Sequence, residues 1–155
     1  MLITPHALTG AALAKMTNSF SLAIPIALAS HYVLDAIPSW DVGFNSNKDI
    51  IIILCDFFTA SLLVGIAVRA ERSIKGKWLL TTGALIAIFP DICAQVIFLL
   101  SLTADNPLLN FHLLIQKSAS IHWSLPLQAG ISIIALMAIR HNSRRSLIPK
   151  KGIDS

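Results

Sequence analysis

Charge is what this sequence has least of. Asp, Glu, Lys and Arg make up only 13% of its 155 residues, against roughly 25% in ordinary soluble domains. With 55% hydrophobic residues and a mean hydropathy of +0.72, the chain has too little polar material to cover a soluble surface. An integral membrane protein is implied. Cysteine is scarce too. Cys55 and Cys93 lie inside apolar runs, which argues against a disulfide framework or a CxxC zinc site and for buried, inert thiols. No G-x-S-x-G, P-loop or H-E-x-x-H is present, so serine hydrolysis, nucleotide use and zincin chemistry find no support. Internal repeats and low-complexity segments are also lacking.

What basic charge there is collects in two short stretches, "RAERSIKGK" and "RHNSRRSLIPKK". That clustering marks the cytoplasmic side of a membrane protein, so the net charge of +4 is not read as a nucleic-acid footprint. Four runs approach the roughly 20 apolar residues a bilayer crossing needs: 19–37, 50–69, 78–102 and 124–140. Ahead of them, "TPHALTGAALAKM" predicts a shorter helix whose Gly10, Ala11 and Ala14 offer a small-residue face for close packing. Thr17 and Asn18 then predict a tight turn. The expected fold is all-α: a polytopic membrane helix bundle of about four transmembrane helices plus an N-terminal half-helix. Residues 1–142 form a single domain, and 143–155 form a basic, mobile cytoplasmic tail. A cleaved signal peptide over 1–29 is the competing reading, disfavoured by Pro25 in its core and by the apolar run continuing through "HYVLDAIP". Positive-inside places Lys15, the 70–77 loop and the tail in the cytoplasm, and the 38–49 and 103–121 loops outside.

Ionisable residues within membrane segments are expensive and are functional candidates by default. Counting at about 1.5 Å per residue from each cytoplasmic end puts His31 and Asp35 about 20 and 25 Å up. The same count puts Asp56 at about 20 Å, Asp91 at about 21 Å, His122 at about 27 Å and His6 at about 14 Å. Six groups from five helices thus share the outer half of the membrane. His31 and Asp35, four apart, also share one helix face, where they can bind a divalent ion together or act as ligand and hydrogen-bonding support. Asp91 stands in mid-run, where a lone charge costs about 2.5 kcal/mol or more, beside Pro90, which frees a backbone carbonyl. Each has a plainer reading. Asp56 can be an interfacial carboxylate favoured by a helix N-terminus, His6 can be interfacial, and His122 can belong to an aromatic belt with Trp123. His112 and Gln116 share a face of a short amphipathic segment that lies along the outer surface and can cover the site.

Together, "TPHALTGAALA", "SHYVLDAIPSWD", "FPDI" and "FHLLIQ" resemble the small bacterial membrane-bound metal-dependent hydrolases (YdjM-like), over most of residues 4–130. The His-xxx-Asp-xx-Pro-x-Trp-Asp run is the most specific part. The resemblance places His6, His31, Asp35, Asp41 and Asp91 on motif positions, with His112 and Gln116 as a further pair. It implies a multi-pass protein of the bacterial inner membrane. Three departures stand out. Ser39 separates Pro38 from Trp40, Cys93 follows Asp91 where a second Asp can stand, and His122-Trp123-Ser124 only loosely matches a His-Ser pair. They leave one metal plausible and put a two-metal site in doubt.

The leading expectation is a membrane-embedded hydrolase of a lipid-linked or phosphoester substrate. His6, His31, Asp35 and Asp91 would hold Zn²⁺ or Mn²⁺, Asp41 or Asp56 would accept the proton, and His112, Gln116 and His122 would be accessory. Membrane lipids are the implied partners. A proton or metal-ion transporter using the same acidic row, and a non-catalytic scaffold knitted by these groups, remain as alternatives.

Overall fold

The turn that joins the first two helices shows how locally this chain is written. Asn18 adopts the left-handed conformation, φ 50° and ψ 23°, which Asn tolerates better than other non-glycine residues. Its amide donates to the carbonyl of Lys15 at 3.2 Å, and the Thr17 hydroxyl donates to the carbonyl of Ala14 at 2.7 Å. One helix stops there and the next starts antiparallel to it.

A computed structural model describes residues 1–40, 47–100, 107–115 and 119–145. They form six helices: α1 (Ile3–Thr17), α2 (Phe20–Asp35), α3 (Asn47–Ala70), α4 (Ile74–Leu99), α5 (Pro107–Ile115) and α6 (Ile121–Arg145). No strand occurs among the described residues. The expected all-helical bundle is observed. Three helical stretches are long and apolar enough to cross a membrane: Lys48–Ala70, Ile74–Ile97 and Ile121–Ser143. They mark the chain as a membrane protein. The fourth expected run is shorter than anticipated. As α2 it has 16 residues, about 24 Å, and stops at Asp35 rather than continuing to residue 37. At the other end of the chain, helix continues through Arg145, so the first three residues of the expected tail belong to α6. The remainder, 146–155, lies outside the described residues.

The segment expected to be a half-helix appended to the bundle is its centre. α1 touches α2, α3, α4 and α6 and buries Thr4 to Leu8, Gly10 to Ala12 and Ala14. Its small residues permit this. A Cβ on Gly10 would overlap the carbonyl of Gly83 and the side chain of Ala87, and one on Gly83 would overlap Gly10 and Ala14. The backbones of α1 and α4 therefore meet at a glycine–glycine crossing, where close approach replaces apolar bulk as the source of dispersion energy. Ala7, Leu8, Ala11, Ala12, Leu80, Ala84 and Ile88 form the main core around it.

The outer helices turn their large apolar side chains away from this core. Phe58, Ile66, Ile134 and Met137 are each more than half exposed, a surface that lipid would cover and water would not tolerate. Charge sorts by end. Lys15, Glu71, Arg72, Lys75, Lys77 and Arg140 lie where α1 and α3 finish, where α4 begins and in the last turns of α6. His6, Asp35, Asp56 and Asp91 lie toward the opposite end.

Candidate metal centre

His6 stands in the first turns of α1, buried because α1 is surrounded. His31 and Asp35 stand in the last turns of α2, on the face turned to α1. Asp91 follows Pro90 in α4, where the missing proline N–H leaves the carbonyl of Ile86 without its helical donor. These three helices bring the four side chains into one cluster. The Oδ1 of Asp35 lies 3.1 Å from Nε2 of His6, and its Oδ2 lies 3.0 Å from Nε2 of His31. Nδ1 of His31 is 3.8 Å from Oδ2 of Asp91. The two imidazoles stack at 4.5 Å between centroids, tilted by 35°.

His6, His31 and Asp35 are fully buried, whereas the Asp91 side chain keeps 14% of its exposure. The Oδ2 atom that Asp91 turns to the cluster is itself buried, so the cluster is enclosed and Asp91 is its one partly exposed member. The amino group of Met1 also lies 3.6 Å from Asp35 Oδ1.

The arrangement divides the labour among the four residues. Asp35 faces the Nε2 edge of both rings, which favours the ring proton on Nε2 and Nδ1 as the lone pair. The Nδ1 atom of His6 has no hydrogen-bond partner among the described residues. A buried polar atom left in that state costs about 1–3 kcal/mol, which a bound cation would recover. One ligand atom each from His6, His31 and Asp91 lie within 4.8 Å of one another, so a metal held by bonds of about 2.0–2.2 Å would draw the widest pair a few tenths of an ångström closer. The two carboxylates, Asp35 and Asp91, outweigh the single Met1 ammonium beside them, so the cluster keeps a surplus negative charge that a cation would compensate. The residues fit a divalent metal. Asp35, expected as a direct ligand, lies against the Nε2 edge of both imidazoles.

Asp56 is corrected more sharply. Its Oδ2 accepts from the amides of Ile3 at 2.6 Å and Thr4 at 3.3 Å, and its Oδ1 accepts from the Thr4 hydroxyl at 2.6 Å. Leu2, at the cap position of α1, offers no side-chain oxygen, so Asp56 caps α1 from a neighbouring helix and compensates its positive end. Both oxygens of Asp56 are thus engaged at the start of α1. His122 is exposed at the start of α6 and stands apart. Asp41 and Gln116 lie outside the described residues. His112 is on α5, and its side chain lies outside them too. The helix that carries it packs against α2 and α4, with Phe111 edge-on to Tyr32 at 5.5 Å, next to His31.

Two positioning residues escaped sequence reasoning. Gln128 accepts from the amide of Leu2 at 2.8 Å and donates to the carbonyl of Trp40 at 3.1 Å and to Ser124 Oγ at 2.6 Å. Ser124 Oγ in turn accepts from the amide of Trp40 at 2.5 Å. This buried pair ties the start of α1 and the segment after α2 to α6. Ser124 and Gln128 are four apart, the same signal that singled out His31 and Asp35.

Comparison of the chain with family models, with curated proteins and with solved structures gave no match.

Proposed function

We propose that the protein is a membrane-embedded, metal-dependent hydrolase with a single divalent-cation site formed by His6, His31 and Asp91. It acts on a lipid-linked or other phosphoester substrate from the end of the bundle opposite its basic residues. The observation that carries this reading is the convergence of those three ligand atoms within 4.8 Å from three separate helices. In this reading Asp35 holds both rings in one tautomer, and the bundle crosses the bacterial inner membrane several times with its basic end in the cytoplasm. The cation, Zn²⁺ or Mn²⁺, would supply a bound water with a pKa near 7 and polarise the substrate oxygen.

The chain's own residues do the rest. Asp91, the one partly exposed member of the cluster, marks the side by which water and substrate would reach the site. Leu8, Ala11, Ala12, Leu80, Ala84 and Ile88 close the opposite side with apolar packing. That closure favours chemistry at one membrane face over a transporter, which needs polar groups across the whole thickness. Exposed apolar helix faces beside the site suit a substrate that arrives in the lipid phase.

Elemental analysis of the detergent-purified protein tests the reading. About one equivalent of Zn or Mn is expected, absent in His31→Ala and in Asp91→Asn, with phosphoesterase activity lost in parallel. Metal content unchanged in both variants would sink it. Metal loss without any phosphoesterase activity in the parent would leave a structural metal and remove the enzyme.

A further inference from the structure

At the basic end of the bundle a groove of about 460 Å³ lies between α3 and α6. Leu63 and Ile66 from α3 face Leu136 and Ile139 from α6 along it, and Arg72 and Arg140 line it as well. Both arginines are exposed. Among the described residues neither is paired with a carboxylate: Glu71, next to Arg72 in sequence, is taken by Lys15 and Ser143. The groove therefore joins an apolar trough to two uncompensated guanidinium groups, at the end of the helices where a membrane interface would fall.

We propose that this groove is a binding site for one anionic phospholipid, with an acyl chain against the apolar walls and the phosphodiester between Arg72 and Arg140. Guanidinium forks match phosphate oxygens geometrically, and basic residues at a membrane surface attract anionic lipid. A free phosphate would use the arginines and waste the apolar walls. Ile66, which is 56% exposed, continues the trough onto the apolar surface that lipid would cover. The site rests on the membrane reading of the chain but not on the metal centre at the other end.

Native mass spectrometry of the full-length, detergent-purified protein tests this, using phosphatidylglycerol and phosphatidylcholine of identical acyl chains. One phosphatidylglycerol is expected to remain bound at roughly thirtyfold lower lipid concentration than phosphatidylcholine, from two basic contacts of ordinary strength. Arg72→Ala/Arg140→Ala should abolish that preference while metal content and thermal unfolding stay at parental values. Each single variant should retain roughly a fivefold preference, which keeps the test decisive if the double variant misfolds. Ala70→Trp, which fills the groove and leaves both charges, should weaken binding of both lipids. Equal binding of the two lipids, a preference that survives the double variant, or undiminished binding to Ala70→Trp would each overturn the proposal. So would displacement of the lipid by millimolar inorganic phosphate.

Discussion

α1 carries a buried polar cluster at each end, and the two are built on opposite principles. At the basic end, the Lys15 ammonium contacts Glu71 and Ser143. The Ser143 hydroxyl donates to Glu71 Oε2 at 2.9 Å, and the amide of Ser73 donates to its Oε1 at 3.0 Å. One cation meets one anion, and both Glu71 oxygens are engaged. At the other end, two carboxylates meet two imidazoles and the Met1 amino group, and the Nδ1 of His6 is left over. A closed ion pair fixes where helices sit. An array with surplus negative charge, an unused lone pair and one partly exposed carboxylate can take up a ligand. Burial alone does not distinguish them, since Lys15 and Glu71 are nearly as enclosed as His6 and Asp35.

The largest effect that could break this contrast is removal of a ligand. His31→Ala is expected to take metal content from about one equivalent to none and to abolish hydrolysis, while far-UV circular dichroism keeps its helical signal. Full metal retention would make both ends structural. Next comes Lys15→Met, which leaves Glu71 as an uncompensated buried charge and should destabilise the fold by about 3–5 kcal/mol, measured by thermal unfolding in detergent. Lys15→Met/Glu71→Gln should recover most of that loss. Neither variant should alter metal affinity. If Lys15→Met also emptied the metal site in protein that remains folded, the two ends would be coupled through α1.

The basic end also has a pH signature. Burial alone would raise the carboxyl pKa of Glu71, but the Lys15 ammonium, the Ser73 amide and the Ser143 hydroxyl together hold it below its ordinary value. A carboxylate lowered in the folded state stabilises the fold above its unfolded pKa, about 4.3. That stabilisation disappears as pH falls through the lowered folded value. The destabilisation by Lys15→Met should therefore be largest near neutral pH and shrink as pH falls, because protonation relieves the unpartnered Glu71 carboxylate.

Asp35→Asn tests how the ligands are oriented, and its effect should be smaller than loss of a ligand. An amide can accept from only one imidazole, so metal affinity is expected to fall about 10–100-fold without vanishing. Complete loss of metal would return Asp35 to the ligand set expected from the sequence.

How much of this was legible beforehand depends on which coordinate is asked for. Helix positions were legible because apolar length is a local property, and the turn at Thr17 and Asn18 was written in two residues. Height in the bundle was legible as well, because each helix rises by a fixed amount per residue. Height put His6, His31, Asp35 and Asp91 in the outer half of the membrane, about 14 to 25 Å up, and the structure brings those four together. The same count admitted Asp56 and His122, which differ in azimuth: one turns to the amides of α1, the other outward. Azimuth depends on which helix lies at the centre. The central place of α1 was hidden because 15 residues are too few to span a bilayer alone, and because its burial on every side follows from packing partners rather than from an apolar stripe.

The smallest expected effect bears on that misplaced residue. If Asp56 is the cap of α1, Asp56→Ala strips the acceptor from the Ile3 and Thr4 amides and should cost about 0.5–2 kcal/mol. Hydrolysis per bound metal should stay close to that of the parent. Asp56→Asn keeps an acceptor oxygen for an amide and should be milder in stability and silent in activity. A catalytic base would behave in the reverse order: Asp56→Asn would keep the metal and the fold yet lose turnover, because the amide cannot take a proton. Measuring turnover per bound metal beside the unfolding temperature separates the two. The cap is favoured because both oxygens of Asp56 are already committed to α1, and a carboxylate cannot hold that helix end and leave it during a reaction cycle without releasing His6 along with it.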